Sequence, residues 1–365
     1  MIVLAQFAGT SLWFAGNAIL PQLQQAFSLP DAAIGYVTSA VQLGFIAGTL
    51  AFALLLIADR FAAGRVFLFC AIAGALANYG IYWLGQGLWS VLLLRFLTGF
   101  FLAGIYPVGM KIAAEWFPKG LGLALGYLVG ALVLGTAFPH LLSQSLQAYD
   151  WGQVLAMISL VAATGGLLLW LLVPAGPHRK RFSQLDLSVL PRMFQVKAFR
   201  SAAFGYFGHM WELYTFWAFL PLLLRQFADR QALSIPVSLL SFIVIATGSI
   251  GCIIGGYIST KVGSKRVAIG MLLCSGLCCL LVPVFFSFGE SWLIILLLVW
   301  GFSVVGDSPQ CSSLVAAAAP QAYVGSALTI VNGLGFGLTI LSIELVNYWL
   351  PQLPAPYYFW LLLQK

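Results

Sequence analysis

Apolar runs of about twenty residues recur along the whole chain, and short polar or Pro/Gly-rich segments separate them. A helix needs about twenty apolar residues to cross the hydrocarbon core of a bilayer, so each run predicts a membrane-spanning helix. The alternating short segments that are typical of a membrane β-barrel are not visible. The predicted spans, numbered 1 to 12, cover residues 2–25, 32–57, 65–85, 89–114, 121–146, 152–173, 199–226, 234–259, 266–287, 291–316, 322–349 and 355–365.

One long polar stretch divides these spans into two groups of six. It covers residues 174–198 and contains the basic run from His178 to Arg181. The pattern predicts an N-terminal six-helix bundle over residues 1–173, a basic linker over 174–198 and a C-terminal six-helix bundle over 199–365. Span 12 would extend only about 16 Å as a helix, roughly half of the hydrocarbon core, so we expect it to be truncated.

The composition agrees with this interpretation. The chain has 365 residues, of which 61% are hydrophobic and only 7% are charged, and its mean hydropathy is +0.99. A soluble domain carries about 25% charged residues, because its surface must be solvated. A soluble enzyme, a nucleic-acid-binding protein and a disordered chain are therefore excluded. The predicted fold class is an all-α polytopic membrane protein.

The net charge of +7 is confined to a few connecting segments. If successive helices alternate in direction, two basic residues, Arg225 and Arg230, lie on the side opposite the linker, and Arg95 lies within a span. Excess Lys and Arg mark the cytoplasmic side, so we expect a multi-pass protein of the plasma (inner) membrane with the linker and both termini in the cytoplasm. The basic residues on the linker side are Arg60, Arg65, Lys111, Lys119, Arg179, Lys180, Arg181, Arg192, Lys197, Arg200, Lys261, Lys265, Arg266 and Lys365.

The cysteines all lie inside apolar runs, where free thiols behave as small hydrophobic groups. Cys and His residues do not form a cluster with the spacing of metal ligands. The sequence therefore predicts no disulfide, no metal site and no cofactor. The first run, which starts at Ile2, lacks a basic region before it and a cleavage site after it, so it predicts a membrane helix. The cysteines are Cys70, Cys252, Cys274, Cys278, Cys279 and Cys311.

Glycines four residues apart occur in spans 2, 5, 8 and 11, a period of three helices. Such pairs let helix backbones approach closely in lipid. Their regular recurrence predicts a chain that is built from three-helix units, as in transporters with inverted repeats. The sets are Gly44/Gly48, Gly122/Gly126/Gly130, Gly251/Gly255 and Gly333/Gly337.

The loop after span 2 and the centre of span 4 carry the most informative motifs. The loop runs from Ala58 to Phe61 with Gly64-Arg65 following, and its counterpart after span 8 runs from Gly256 to Arg266. Span 4 contains the segment from Arg95 to Gly99. These motifs resemble the cytoplasmic signature and the membrane-embedded Arg motif of the major facilitator superfamily. The resemblance extends over the whole chain and implies a fold of two six-helix bundles of inverted three-helix repeats.

Two features depart from the family pattern. Leu55 replaces the usual leading glycine of the first signature, and Gly64-Arg65 comes two residues late. The segment from Glu115 to Gly120 is similar to that of the anion-transporting branches, which include nitrate/nitrite carriers. Those carriers use arginines in spans 2 and 8, and neither span has one in this chain. The subfamily therefore stays open.

Charged residues of the signature loop lie on the same side of the membrane as the end of span 4. The family uses this loop for gating, so the resemblance implies a latch of charge pairs between Glu115 and the loop residues Asp59, Arg60 and Arg65. Pairs of this kind are partly exposed and hold one state by about 1–2 kcal/mol.

Carboxyl groups inside the spans are the strongest candidates for proton coupling. Glu212 lies near the middle of span 7, and desolvation makes a carboxylate take up a proton more readily. His209 is three residues earlier on the same helix face, so we expect it to tune Glu212. Asp307 precedes Pro309 in span 10, where freed carbonyl groups resemble the broken-helix sites of transporters.

Other polar groups within the spans could have either a functional or a structural role. Arg95 lies about 9 Å from one end of span 4, and its depth favours a solute contact over a snorkelling side chain. A structural role is favoured for His140, and we expect Glu344 to reach the headgroup region. Spans 1, 4, 7 and 10 line the central cavity in the family, and the resemblance adds solute contacts on them. The candidate contacts are Arg95, Trp13, Asn17, Tyr106, Tyr214 and Gln310.

These observations predict a monomeric secondary active transporter that moves a small molecule or ion across the lipid bilayer, with protons as the coupling ion. A small-anion symporter would use Arg95 as its counter-charge. A proton antiporter that exports hydrophobic or cationic compounds would use Glu212, Asp307 and the aromatic residues. A channel or a metal-ion carrier is a remote alternative, because the sequence shows no charged ring and only a thin ligand set in span 7. No nucleophile–base set indicates an enzyme.

Overall fold

The computed structural model describes residues 1–117, 121–146, 149–178, 190–320 and 323–364. The side chains of Ala58, Asp59, Leu121, Gly122 and Leu190 are outside this description. The described residues contain helices and connecting turns but no strand, which confirms the predicted all-α class. Within spans 1 to 11, the observed helices begin and end within five residues of the predicted bounds.

Apart from span 7, seven of the predicted spans form one continuous helix each. The hydrocarbon core of a bilayer contains no water, so the backbone N–H and C=O groups of these spans must bond to one another, as they do in a helix. A short helix, Ile57–Arg60, follows the first of them, and another, Leu190–Gln195, precedes span 7. The continuous helices are Ala33–Leu54 (span 2), Ala63–Leu84 (span 3), Leu121–Ser145 (span 5), Trp151–Leu172 (span 6), Val237–Val262 (span 8), Ser264–Phe288 (span 9) and Val324–Trp349 (span 11).

Spans 1, 4 and 10 are broken near their middle. A proline lies in the first turn of three of the helical pieces: the last piece of span 1 and the second pieces of spans 4 and 10. Backbone N–H groups in the first turn have no partner within the helix, so the missing N–H of proline costs no hydrogen bond there. The observed pieces are Ile2–Thr10, Ala15–Ala18 and Leu20–Phe27 in span 1, Leu88–Leu102 and Tyr106–Trp116 in span 4, and Glu290–Gly306 and Ser308–Ala318 in span 10.

Span 7 is the longest helix, Lys197–Gln231, and it continues past its predicted end. The apolar pattern ends at residue 226, but the helix extends because one face of its last turns packs on span 9. The Phe227 and Phe286 rings lie 5.3 Å apart, and the Arg230 guanidinium lies 5.7 Å from the Phe286 ring centre. The last described element is a 3₁₀ helix, Tyr357–Gln364, in the region of predicted span 12.

In the part of the chain that the structure describes, nine helices are long and apolar enough to cross a membrane. These are spans 2 to 6 and 8 to 11, with the two pieces of spans 4 and 10 taken together. Span 7 is long enough, but His209, Glu212 and its Tyr and Trp residues lower its hydropathy. The chain is therefore a polytopic membrane protein, as predicted.

The two halves of the chain repeat the same close helix contact. A side chain at Gly44 would collide with the carbonyl oxygen of Phe96, so the backbones of spans 2 and 4 touch. In the second half, a side chain at Gly251 would collide with the carbonyl oxygen of Phe302, which places spans 8 and 10 in the same relation. The three-helix period of the glycines in these spans thus reflects equivalent backbone contacts.

Span 11 differs from this pattern. A Cβ atom at Gly333 or Gly337 would meet nothing within 4 Å, so this glycine pair does not bring two helices together. Gly335 on a neighbouring face packs against Tyr206 and Met210 of span 7 instead. The expectation of a tight helix contact at every glycine pair is therefore wrong for span 11, because close approach also needs a partner backbone at the same level.

The contrast between the two glycine sets gives a test of the packing. We expect Gly44→Ala to lower the thermal unfolding temperature in detergent, because overpacking costs about 1–3 kcal/mol. Gly337→Ala, the matched control, should leave that temperature unchanged or raise it slightly, since the methyl group has room. Intrinsic fluorescence during heating measures both. An equal effect of the two substitutions would contradict the assigned contacts.

Candidate functional site

The break in span 1 leaves two backbone carbonyl groups without helical partners, and Arg95 of span 4 binds both. Its Nη1 atom donates to the carbonyl oxygen of Leu12 at 3.1 Å, and its Nη2 atom donates to that of Trp13. Arg95 is completely buried. The guanidinium thus replaces the hydrogen bonds that the helix loses between Thr10 and Ala15.

A second layer of polar groups holds Arg95 in place. Its Nη1 atom also donates to Oδ1 of Asn78 in span 3 at 3.2 Å, and Nδ2 of Asn78 donates to Oγ of Ser159 in span 6 at 3.0 Å. Arg95 therefore connects spans 1, 3, 4 and 6. Both terminal nitrogens are engaged by the protein itself, and among the described residues only Nε of this side chain is left without a hydrogen-bond partner.

Buried aromatic rings form a continuous layer between the two halves, just beyond the break in span 1. The Trp13 ring stacks on Tyr214 of span 7 at 5.5 Å and on Phe336 of span 11 at 5.6 Å. Phe45 of span 2 lies 4.5 Å from Phe336, and Trp217 lies 5.3 Å from Tyr214. We call these five residues the aromatic layer. Each is at most 3% exposed, so these rings pack against one another inside the protein.

The break in span 10 places a carboxyl group against a histidine. Asp307 lies between the two helical pieces, and its Oδ1 atom is 2.7 Å from Nδ1 of His209 in span 7. The ring N–H does not point along this line, so the contact is an ion-pair contact without hydrogen-bond alignment. Both side chains are 1% exposed. We call these two residues the His–Asp pair.

Tyrosines surround the His–Asp pair and include one from the first half of the chain. The Tyr206 ring lies 5.9 Å from the His209 ring, and its hydroxyl donates to Oδ1 of Asn332 in span 11 at 2.5 Å. Tyr106, at the break of span 4, lies within electrostatic range of Tyr206 and Tyr214. Titratable and hydroxyl groups from both halves therefore meet in the membrane interior.

Glu212 points into the second half, away from His209. Its Oε1 atom accepts a hydrogen bond from Nε1 of Trp300 at 2.7 Å, and its Oε2 atom accepts one from Oγ of Ser275 at 2.9 Å. His209 and Glu212 are three residues apart on one helix, so their side chains point about 60° apart around the helix axis. Each side chain therefore contacts different neighbouring residues. The structure therefore brings His209 to Asp307, whereas the sequence predicted that it would act on Glu212.

The remaining predicted solute contacts are buried at or near this level. Nδ2 of Asn17 donates to Oγ1 of Thr38 in span 2 at 2.7 Å, and its Oδ1 atom has no partner among the described residues. Gln310 is buried one turn beyond Asp307. Gln42 in span 2 escaped the sequence analysis: it is fully buried, and neither end of its amide has a partner in the described part of the chain. Its polarity inside an apolar span was the available signal.

Spans 2 and 11 are joined at their ends away from the linker. Oγ of Ser39 donates to Oε1 of Glu344 at 2.6 Å, and Nδ2 of Asn347 donates to the carbonyl oxygen of Ala32 at 3.1 Å. A Cβ atom at Gly35 would lie within 3 Å of the side chain of Asn347. Glu344 is half-buried near the far end of span 11 and is held by span 2, so its expected reach to the headgroup region stays a prediction.

The predicted latch residues lie together on the linker side. Arg65 and Glu115 line the same pocket of about 170 Å³, and Arg60 lines a neighbouring groove with Arg65. Glu115 is buried, and its carbonyl oxygen accepts from the backbone N–H of His178 at 3.2 Å. The side chain of Asp59 lies outside the described residues. No ion pair joins Glu115 to either arginine in the described structure, so the latch stays a prediction.

Comparisons with known proteins agree with the helix arrangement. A sequence profile described as "Major Facilitator Superfamily" matches residues 2–342. The chain belongs to this superfamily. The crystal structure of the nucleoside transporter NupG superimposes on all of the chain and on 94% of its own length, with a TM-score of 0.74 and 16% sequence identity. At this identity, the likeness establishes the shared fold alone.

Relatives of known sequence are distant. A probable sugar efflux transporter of Helicobacter pylori is 23% identical over 87% of this chain and 80% of its own length. A probable galactarate/D-glucarate transporter of Pseudomonas putida is 28% identical over 32% of this chain. That second match spans only about a quarter of the relative's length, namely 27%. Among the described residues of this superfamily member, no group of three or more His, Cys, Asp or Glu side chains could hold a metal ion.

The contacts of Arg95 predict that it is needed for folding. We expect Arg95→Leu to destabilise the protein, because each buried carbonyl group that loses its donor costs about 1–3 kcal/mol. Asn78→Leu should have a smaller effect, since it removes one partner of Arg95. Arg225→Leu, at an exposed position of span 7, is the control. Thermal unfolding in detergent measures the three variants. If Arg95→Leu unfolds at the wild-type temperature yet no longer binds solute, Arg95 is a solute contact.

Proposed function

We propose that the chain is a secondary active transporter that moves a small solute by alternating access between residues 1–173 and 199–365, with proton coupling. The His–Asp pair carries this proposal. It lies at a helix break in the membrane interior, next to groups from both halves, and it can hold a proton. We propose that the pair exchanges its proton when one side of the protein opens to water.

The asymmetry of the interface between the halves supports alternating access. Away from the linker, spans 2 and 11 are joined through Ser39 and Glu344, and the aromatic layer lies below this contact. Toward the linker, spans 5 and 8 join the halves instead: Oγ of Ser249 donates to the carbonyl oxygen of Gly130 at 2.8 Å, and the hydroxyl groups of Tyr127 and Tyr257 lie 3.2 Å apart. We infer that alternating access separates the contact between spans 2 and 11 in one state and loosens the contact between spans 5 and 8 in the other.

Proton coupling is better supported at the His–Asp pair than at Glu212. Both oxygens of Glu212 accept hydrogen bonds from Ser275 and Trp300, which hold its carboxyl group in a fixed position. Asp307 makes its contact with a neighbouring titratable group and lies at a break, where a small backbone movement changes the distance. We therefore propose that Asp307 exchanges the proton, that His209 shares it, and that Glu212 anchors span 7 to spans 9 and 10.

The site favours an uncharged polar solute with a ring. Arg95 is committed to the break of span 1, so it is not free to neutralise an anion in this conformation. Trp13, Tyr106 and Tyr214 offer ring faces and a hydroxyl group, and Gln42 offers an unpaired buried amide. Aromatic faces and amides of this kind suit a sugar or a nucleoside. The Helicobacter pylori relative is a probable sugar efflux transporter and NupG is a nucleoside transporter, so their names fall in these two classes.

The aromatic layer also favours a second candidate, a proton antiporter that exports hydrophobic or cationic compounds. Its rings would take a cation on their faces, with Asp307 as the counter-charge. The direction of proton movement separates the two functions. Solute is added outside vesicles that contain a lumenal pH dye. When the protein carries the solute inward, symport acidifies the lumen and antiport makes it alkaline.

The orientation follows from the distribution of charges. We propose that the linker side is cytoplasmic and that the protein lies in the plasma (inner) membrane as a monomer, because Lys and Arg concentrate on that side. A transport role, as opposed to an enzymatic or nucleic-acid-binding one, follows from the membrane fold and from the buried site between two halves.

The role of the His–Asp pair can be tested in proteoliposomes with radiolabelled uridine, D-glucose and D-glucarate as probes. We expect Asp307→Asn to abolish accumulation driven by a pH gradient, while counterflow exchange persists, because the substituted side chain mimics the protonated form. His209→Gln should reduce accumulation partly. Glu212→Gln should lower the unfolding temperature and keep proton-driven accumulation.

Two outcomes would contradict this assignment. Uphill accumulation at the wild-type level in Asp307→Asn would exclude Asp307 as the coupling residue. Loss of accumulation with intact exchange in Glu212→Gln alone would return the role to Glu212, as the sequence predicted. A channel would carry none of the probes by counterflow.

The far-side closure can be tested by cross-linking. Replacing Gly35 and Asn347 with cysteine places two thiol groups at the contact between spans 2 and 11, since the Cβ atoms would lie 2.9 Å apart before relaxation. Oxidation with copper phenanthroline should stop exchange of the transported probe, and dithiothreitol should restore it. The two single-cysteine variants, treated in the same way, are the controls. Full exchange in the cross-linked double variant would contradict alternating access through this contact.

A further inference from the structure

A deep groove lies outside the proposed transport site, at the linker-side ends of spans 2, 3 and 4. Its volume is about 570 Å³, and most of its lining is apolar. Phe52, Phe100 and Phe101 form its floor, and their rings pack edge to face. Ala51 and Phe69 line its sides. The proposed transport pathway uses none of these residues.

The groove opens sideways toward the lipid. Phe69 is 65% exposed and Leu55 is 53% exposed, although both are apolar and belong to or border membrane helices. Side chains of this kind face hydrocarbon in a bilayer. The groove is therefore continuous with the acyl-chain region of the leaflet on the linker side.

Two arginines lie at the polar end of the same groove. Arg60 ends the short helix after span 2, and Arg65 lies in the first turn of span 3. Both are exposed, and neither forms an ion pair with a carboxylate in the described part of the chain. The side chain of Asp59 is outside that part. Two unpaired guanidinium groups next to an apolar channel present a charge pattern that matches a phosphate with an attached acyl chain.

We propose that this groove binds an anionic phospholipid. Its phosphate lies between Arg60 and Arg65, and one acyl chain occupies the space over Phe52 and Phe101. The negative surface potential of a leaflet with anionic lipids attracts basic residues near it, and the groove adds apolar contact to this attraction. The site does not depend on which solute is transported, so it stands or falls separately from the proposed function.

The lipid has a consequence for the predicted latch. Arg65 lines both this groove and the pocket that contains Glu115. A phosphate that binds Arg65 competes with Glu115 for the same guanidinium. The bound lipid therefore opposes an Arg65–Glu115 contact and shifts the equilibrium between the states that this contact would stabilise.

Native mass spectrometry of the whole purified protein tests the site, with phosphatidylglycerol as the probe and phosphatidylcholine as the neutral lipid. We expect phosphatidylglycerol to bind at least fivefold more tightly. Replacing both Arg60 and Arg65 with Gln should remove this preference. The control replaces Lys265 and Arg266 with Gln, which changes the net charge equally in the equivalent loop of the second half. It should keep the preference.

A groove-filling variant separates the acyl-chain contact from the charge. Ala51→Phe leaves both arginines in place, and we expect it to weaken phosphatidylglycerol binding at least threefold while size-exclusion elution stays normal. Equal losses in the two charge variants would show general electrostatic attraction and overturn the proposal. Equal binding of the two lipids, or wild-type binding by Ala51→Phe, would overturn it as well. Ala51→Phe keeps the test valid if the arginine variant fails to fold.

Discussion

The structure depends on how a broken helix is satisfied inside the membrane. Hydrocarbon offers no hydrogen bonds, so the interruption of span 1 is stable only because Arg95 binds the exposed carbonyl groups of Leu12 and Trp13. The same interaction sets the direction of the Trp13 side chain, because it fixes the carbonyl group of that residue. Trp13 then packs between Tyr214 and Phe336 of the second half. One buried cation thus links the backbone of span 1 to the aromatic layer.

The break in span 10 is handled with different chemistry. There, the backbone carbonyl group of Asp307 accepts bonds from the amides of Gln310 and Cys311, so the next helix restarts at once and needs no outside cation. The Asp307 side chain is released from capping and meets His209. The buried charge of the first half, on Arg95, therefore stabilises a helix break. The second half keeps a pair of titratable side chains, His209 and Asp307. This asymmetry between related halves is the physical basis of the proposed coupling site.

Different helix pairs join the two halves on the two sides of the membrane. Small and polar residues of spans 2 and 11, among them Gly35, Ser39 and Asn347, interlock away from the linker. Toward the linker, spans 5 and 8 meet through Gly130 and Ser249 and through the hydroxyl groups of Tyr127 and Tyr257. Few direct hydrogen bonds hold the far side, which suits a contact that must separate and form again.

The sequence by itself determined the membrane class, the positions of eleven spans and the superfamily, because hydropathy, helix length and short motifs are local properties. It also indicated the break in span 10 through Pro309, but it predicted neither of the breaks in spans 1 and 4. The partners of buried groups were decided by tertiary structure alone. Helical periodicity gives the face on which His209 or Glu212 lies, but the identity of the neighbour across that face depends on the rotation and height of another helix. For this reason His209 meets Asp307, Glu212 meets Trp300 and Glu344 meets Ser39, and none of these pairs could be read from spacing along the chain.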